Sequence, residues 1–374
     1  MNAPPSLHFK PFLMRQAQGL AGAVRSMLTL TAQRASRGRV VVVTLEDDAL
    51  AEAARQTGAD VVCVRPPNQP IRFKPAMYPD SWRAIRRAAK HHGVKILHSH
   101  AATGCRHMLV PAKSARLPLV CHQRDNYAPG RYYWGMRGAD RIISISRWVE
   151  GTLPPHLARK STVVHNAVDA AGFDPSDERL TPLRDAARLR VGFAGQCRSN
   201  KGPDLLAAAG DRILGSADNV ELHIWGVPPA GGDAFVADLR SRLDTLSSRF
   251  PGRVVVEPFR KDVDVFFRSM DIVAIPSRFP EPFGRVSIEA MAYGAAVVAA
   301  NHGGLPEVVL DGETGLVFEP GSADDLGEKV CTLIADPDLR RQFAEAGTRR
   351  AREHFDAETH VDRVLEVYRS LLHA

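Results

Sequence analysis

The 374-residue chain is 44% hydrophobic and 24% charged, an ordinary balance for a globular protein and too much chain for one typical core. Its start, Met1-Asn2-Ala3-Pro4-Pro5-Ser6, lacks a basic segment followed by an apolar core, and nothing later is apolar for the ~18 residues a membrane span needs, so the expectation is a cytoplasmic protein. The net charge of +7 hides an asymmetry: residues 1–170 carry 25 Lys+Arg against 10 Asp+Glu, and the rest carry 24 against 32.

In chain order, short β-branched runs recur with room for a helix between them. They are Val40–Thr44, Val61–Val64, Ile96–His98, Leu119–Cys121, Arg141–Ser144 and Thr162–Val164, then Arg190–Ala194, Glu221–Trp225, Val254–Val256, Ile272–Ile275 and Ala296–Ala299. Continuous apolar runs of this length read as parallel strands buried on both faces. Two doubly wound, Rossmann-like α/β domains follow. Asp169, Asp174, Pro175, Ser176, Asp177 and Pro182 interrupt the pattern where the charge also changes sign, which divides the chain into domains 1–168 and 169–350. Over 351–374, Val361, Val364, Leu365, Tyr368 and Leu371 recur at helical spacing. They predict an amphipathic helix that packs back toward the first domain.

Glu281 and Glu289 stand eight residues apart, one before the turn at Gly284 and one inside the helix that follows. A helix N-terminus favours an anion, and flanking carboxylates accept hydrogen bonds from sugar hydroxyls. The pattern suits a nucleotide sugar. Upstream, Gly192-Phe193-Ala194-Gly195-Gln196-Cys197-Arg198-Ser199-Asn200-Lys201-Gly202 runs from a strand into a Gly-containing loop with two cations. That order puts Arg198 and Lys201 at the mouth of a sheet, where a diphosphate is one reading and exposed charges on a βα turn the other.

At these residues the chain resembles the retaining glycosyltransferases of family 4. Glu281, Phe283, Gly284 and Glu289 meet the family's E-x-F-G-x-x-x-x-E signature, Gly303-Gly304-Leu305-Pro306-Glu307 follows, and Val164-His165-Asn166-Ala167-Val168-Asp169 is similar to its N-G-V-D segment. The resemblance implies the glycosyltransferase B fold, two domains facing across a cleft, and sugar transfer from a nucleotide diphosphate to an acceptor hydroxyl with retained configuration. It implies catalytic roles for His122, Lys201 and Glu281. Donor binding would fall to Gly22, Gly195, Arg198, Lys201, Phe283, Gly284, Arg285 and Glu289, with Gly19 in the same loop as Gly22. No cofactor and no metal are expected. The sequence departs from the family at Gln196, where an arginine is usual, and Arg198 is the candidate substitute.

The basic first half suggests an anionic or membrane-linked acceptor, a glycan or glycolipid of the cell envelope, and peripheral contact with the inner face of the plasma membrane. No helix-turn-helix, zinc finger or Gly-aromatic RNA-binding motif shapes a nucleic-acid surface. The stretch of Trp82, Ile85, Ala88 and Ala89 with Arg83, Arg86, Arg87 and Lys90 reads as a helix of the domain or as one lying on anionic lipid. Asp262-Val263-Asp264 and Glu46-Asp47-Asp48 are expected to be helix-start caps. His98-Ser99-His100 has no neighbouring Cys or acidic cluster to complete a metal site. The five scattered cysteines form no C-x-x-C pair. Two other functions fit the scaffold: a sugar-nucleotide epimerase, or a basic nucleic-acid-binding protein on a degenerate frame.

Overall fold

The computed structural model describes residues 3–9, 22–44, 47–64, 78–125, 131–168, 183–185, 187–228, 233–260 and 262–373. The chain forms two compact units, one of residues 1–167 with 357–374 and one of residues 168–356.

The first unit holds a seven-stranded sheet in the order β3-β2-β1-β4-β5-β6-β7. Its strands are β1 (Ser6–Phe9), β2 (Val40–Thr44), β3 (Asp60–Cys63), β4 (Ile96–Ser99), β5 (Leu119–Gln123), β6 (Arg141–Ser144) and β7 (Ser161–Val163), and every pairing is parallel. Alternate residues of each strand enter opposite cores. Val41, Val43, Leu97, Leu119 and Ile142 pack on one face with Ile85, Ala88 and Ala89 of the helix Tyr78–His91 and Met108 of the helix Ala102–Ala115. On the other face, Ile96, Val120 and Ile143 pack with Val361, Val364, Leu365 and Tyr368 of the helix Ala357–Leu372. Val40 and Val42 meet Val24 and Met27 of the helix Gly22–Ala35. A Val or Leu side chain buried like these contributes about 1.5–3 kcal/mol, so the last helix is integral to this core.

The second unit holds a six-stranded parallel sheet, β10-β9-β8-β11-β12-β13. Its strands are β8 (Leu189–Ala194), β9 (Val220–Trp225), β10 (Val254–Glu257), β11 (Ile272–Ile275), β12 (Ala296–Ala300) and β13 (Leu316–Phe318). In each unit the order reverses once, between β1 and β4 and between β8 and β11. The crevice beyond the carboxyl ends of the strands at such a reversal is where open α/β sheets take ligands.

Local chemistry sets the element ends. Asp48 caps the helix Ala49–Gln56 by accepting from the Leu50 and Ala51 N–H groups, as its sequence position suggests. The helix Val263–Ser269 begins directly after Asp262, but no side-chain cap forms there. Arg260 instead takes the Asp262 carboxylate in a two-pronged ion pair. The helix Tyr78–His91 turns Ile85, Ala88 and Ala89 inward and leaves Arg83, Arg86, Arg87 and Lys90 exposed. Its apolar face is therefore used by the core and cannot enter lipid.

Candidate active site

The second unit assembles the residues around its sheet reversal. After β8 the chain passes Gly195, buries Cys197, and exposes Gln196 and Arg198. A short 3-10 turn, Ser199–Lys201, then leads to Gly202 in the left-handed region at φ 68°. A side chain at 202 would put its Cβ 1.9 Å from the Pro276 carbonyl oxygen, so glycine allows this loop to close onto the end of β11. The Arg278 N–H donates to Asn200 O at 3.0 Å, and the Arg278 guanidinium pairs with Asp204. These contacts bind the two loops together.

That closure brings Lys201 to Glu281. Its ammonium donates to Glu281 Oε1 at 2.5 Å, and the Ser277 hydroxyl donates to the same oxygen at 2.8 Å. His302, after β12, donates from Nε2 to the Ser277 carbonyl at 2.8 Å. The pair is partly exposed, with 36% of the Lys201 side chain and 16% of Glu281 accessible. A pair of this exposure contributes about 0–1 kcal/mol to folding. Its arrangement is better accounted for by what it can bind, since an ammonium has three protons and Glu281 uses one.

Gly284, at φ 95°, is the N-cap of the helix Arg285–Ala292. A Cβ there would lie 2.5 Å from Leu305 Cδ2. Phe283 is buried against the Phe355 ring, centroids 5.7 Å apart, which anchors the turn from behind. In the first turns of the helix, Arg285 donates to Glu289 Oε1 at 3.1 Å across the i,i+4 spacing. Two cation–carboxylate pairs thus flank one helix start: Lys201 with Glu281, and Arg285 with Glu289. Arg198 has no carboxylate partner among the described residues, which leaves its charge available to an anion.

Of the other sequence candidates, Gly195 sits in the loop after β8 and donates its N–H to Trp225 O at 3.2 Å. Gly22 opens the helix Gly22–Ala35, and Gly19 lies outside the described residues. His122 is in β5 of the first unit, fully buried. Sequence reading missed Ser277, Arg278, Asp204 and His302. Ser277 carried a usable signal, its place two residues past the end of a buried strand; the others depend on side-chain contacts 25 and 74 residues apart.

Strand β1 adds a third imidazole to His98 and His100. Its register sets His8 beside His98, and ligand atoms of His8, His98 and His100 all lie within 4.8 Å of one another. Their surroundings do not suit a cation, because Arg34 and Arg124 are buried alongside. Burial, then the guanidinium charges, pushes His8 down to about 3. His98, His100 and His122 are also held well below the usual imidazole range, by burial first and by neighbouring charges second.

Residues 181–350 match the family model described as glycosyl transferases group 1, and residues 20–171 match that of glycosyltransferase family 4. A lipopolysaccharide core biosynthesis mannosyltransferase, LpcC of Rhizobium leguminosarum bv. viciae, is 30% identical over 243 residues, 64% of this chain and 67% of that protein. An uncharacterized glycosyltransferase of Methanocaldococcus jannaschii is 30% identical over 291 residues, 75% of this chain and 76% of that protein. Among solved structures, Anabaena HepE in complex with UDP and glucose superposes with a TM-score of 0.80 at 23% identity, covering 98% of this chain and 100% of that one. At that identity the likeness is one of fold.

Proposed function

The chain belongs to the group 1, family 4 glycosyltransferases, and from that premise we propose that it moves a sugar, with retained configuration, from a nucleotide diphosphate donor to an acceptor hydroxyl. The observation that carries this reading is the pair of cation–carboxylate contacts at one helix start, Lys201–Glu281 and Arg285–Glu289. The helix N-terminus and Arg198 offer positive potential to a diphosphate, and the carboxylates offer acceptors to hydroxyls. Glu289 holds the ribose and Glu281 the sugar hydroxyls. The backbone near Phe283, Gly284 and Arg285 serves the sugar or diphosphate, and Gly195 lets backbone approach it.

The proposed step breaks the bond between the anomeric carbon and the diphosphate oxygen, whose electron pair leaves with the diphosphate. Lys201 stabilises that growing charge through the protons Glu281 leaves unused. The acceptor oxygen attacks the same face of the oxocarbenium-like sugar, and its proton passes to the departing phosphate. No protein nucleophile and no metal enter this scheme.

The acceptor is proposed to be an anionic or membrane-linked glycan or glycolipid of the cell envelope. The excess of positive charge before residue 171 supports this, as does the lipopolysaccharide named for the Rhizobium relative. Contact with an anionic membrane would be electrostatic, through the exposed Arg83, Arg86, Arg87 and Lys90. No helix among the described residues is long and apolar enough to cross a membrane.

A thermal-shift screen against nucleotide sugars identifies the donor, because a ligand that binds only the folded state raises the melting temperature. Transfer to an acceptor, with the product anomer read by NMR, then tests the reaction. Formation of an epimer from the donor alone, or salt-sensitive nucleic-acid binding with no turnover of any nucleotide sugar, would refute it.

A further inference from the structure

We infer that Arg124 is a positioning residue: it starts a one-way chain of hydrogen bonds that fixes the protons on the buried His8, His100 and His122 of the first unit and leaves His122 able to donate, but not accept, at Nε2. Only the use of that donor, toward a sugar oxygen, rests on the glycosyl-transfer reading.

A guanidinium has donors and no acceptor. Arg124 is buried behind β5, with Nη1 donating to Asn166 Oδ1. Its Nη2 lies 3.2 Å from His100 Nδ1 and 3.3 Å from His122 Nδ1. Both ring nitrogens must therefore accept. Each neutral ring then carries its one proton on Nε2.

The consequence propagates. His100 Nε2–H faces His8 Nδ1 at 2.9 Å and donates to it. That puts the His8 proton on Nε2, which donates to Ser6 Oγ at 3.0 Å. Ser6 Oγ also receives Arg34 Nη2 at 3.1 Å, so both its lone pairs are used. The Tyr368 hydroxyl lies 2.6 Å from His98 Nδ1. Obligate donors enter at Arg124 and at Arg34, so the chain cannot run backwards.

This accounting also settles how the three-imidazole group is used. Both nitrogens of His8 and both of His100 are committed to hydrogen bonds, and only His98 Nε2 remains. A cation bound there would have to break the chain beside two guanidinium groups.

On its other branch, from Arg124 to His122, the chain ends in one N–H donor, His122 Nε2. His98 Nε2 and His122 Nε2 are fully buried and have no hydrogen-bond partner among the described residues. Their rings lie near-parallel, 9° apart in plane with centroids separated by 5.3 Å. The His122 polar hydrogen is thus fixed in direction and shielded from water. His122 in this state cannot take the acceptor's proton, which is consistent with the leaving phosphate doing so.

The test is the ring nitrogen spectrum of the full-length protein labelled with ¹⁵N-histidine at about pH 7, with signals assigned by single substitutions such as His122→Gln. The expected result is the Nε2–H pattern at His8, His100 and His122. In Arg124→Met, His122 should lose that pattern, and kcat for transfer should fall roughly 100-fold, the usual effect of withdrawing one oriented donor. An Nδ1–H or doubly protonated His122 in the wild type would overturn the inference, as would an unchanged His122 pattern in Arg124→Met. If that variant does not fold, the wild-type spectrum decides alone. A failure of the transfer reading, with no turnover of any nucleotide sugar, leaves the spectrum as expected, so the two failures are told apart.

Discussion

Mild acid should destabilise the first unit well before its carboxylates titrate. Burial is the main cause that pushes His8 down to about 3 and His107 down to about 4, from an ordinary value of 6.5. Above 6.5 folded and unfolded chains are alike, both neutral at these rings. Below it the unfolded chain binds protons that the folded one excludes, so stability falls as pH falls until the folded values are reached. From about pH 7 to about pH 5 each of the two histidines costs roughly 2 kcal/mol, about 4 together, from a domain stability of about 5–15 kcal/mol. His98, His100 and His122 shift in the same direction and add to the loss. Facing them are the cations Arg34, Arg106 and Arg124, together with His360 and Tyr368, and no carboxylate is among the causes of these shifts. Urea titrations at the two pH values, followed by tryptophan fluorescence, measure the difference. Three of the four tryptophans, Trp82, Trp134 and Trp148, lie in the first unit, so the signal reports mainly on it. An unfolding free energy that changes by less than about 1 kcal/mol across this interval would refute the reasoning, since even one neutral buried histidine should exceed it.

Other substitutions probe the site. Lys201→Ala should lower kcat by roughly 100-fold or more while the melting temperature moves only a few degrees, because the Lys201–Glu281 pair contributes little to folding; steady-state kinetics and calorimetry on the same sample check both. Glu289→Ala should weaken donor binding about 10- to 100-fold, the loss of one hydrogen bond to a charged group, as measured by isothermal titration. Gly284→Ala should cost about 1–3 kcal/mol, because a side chain there is strained at φ 95° and meets Leu305; urea unfolding followed by circular dichroism gives the value. Asp48→Ala, away from the site, should cost about 1 kcal/mol through the lost cap and leave turnover unchanged.

Strands buried on both faces announce themselves, and β2, β6 and β11 coincide with apolar runs legible in the sequence. Strand β1 is not legible because Ser6 and His8, on one of its faces, are polar; only its pairing with β2 and β4 makes it central. The same substitution of polar for apolar residues concealed the histidine chain. Its members come from β1, β4, β5 and the last helix, and no local spacing connects His8 to Tyr368. The second unit was easier, because Glu281, Gly284 and Glu289 lie within nine residues of one turn. What the turn does not reveal is that Ser277 and Lys201 converge on one oxygen of Glu281, since Lys201 reaches it over 80 residues of intervening chain.

The first unit is interrupted in sequence: 189 residues of the second unit, Val168–Asp356, come between Ala167 and the helix that completes its core. During synthesis its sheet must wait, with Ile96, Val120 and Ile143 uncovered, until the final helix has emerged, whereas the second unit is contiguous and can fold first. A stop codon a few turns from the end would therefore spare the second-unit residues proposed to bind the donor and expose an apolar sheet face at the opposite end of the sequence. Premature truncation should show itself as aggregation of a chain that still recognises its nucleotide.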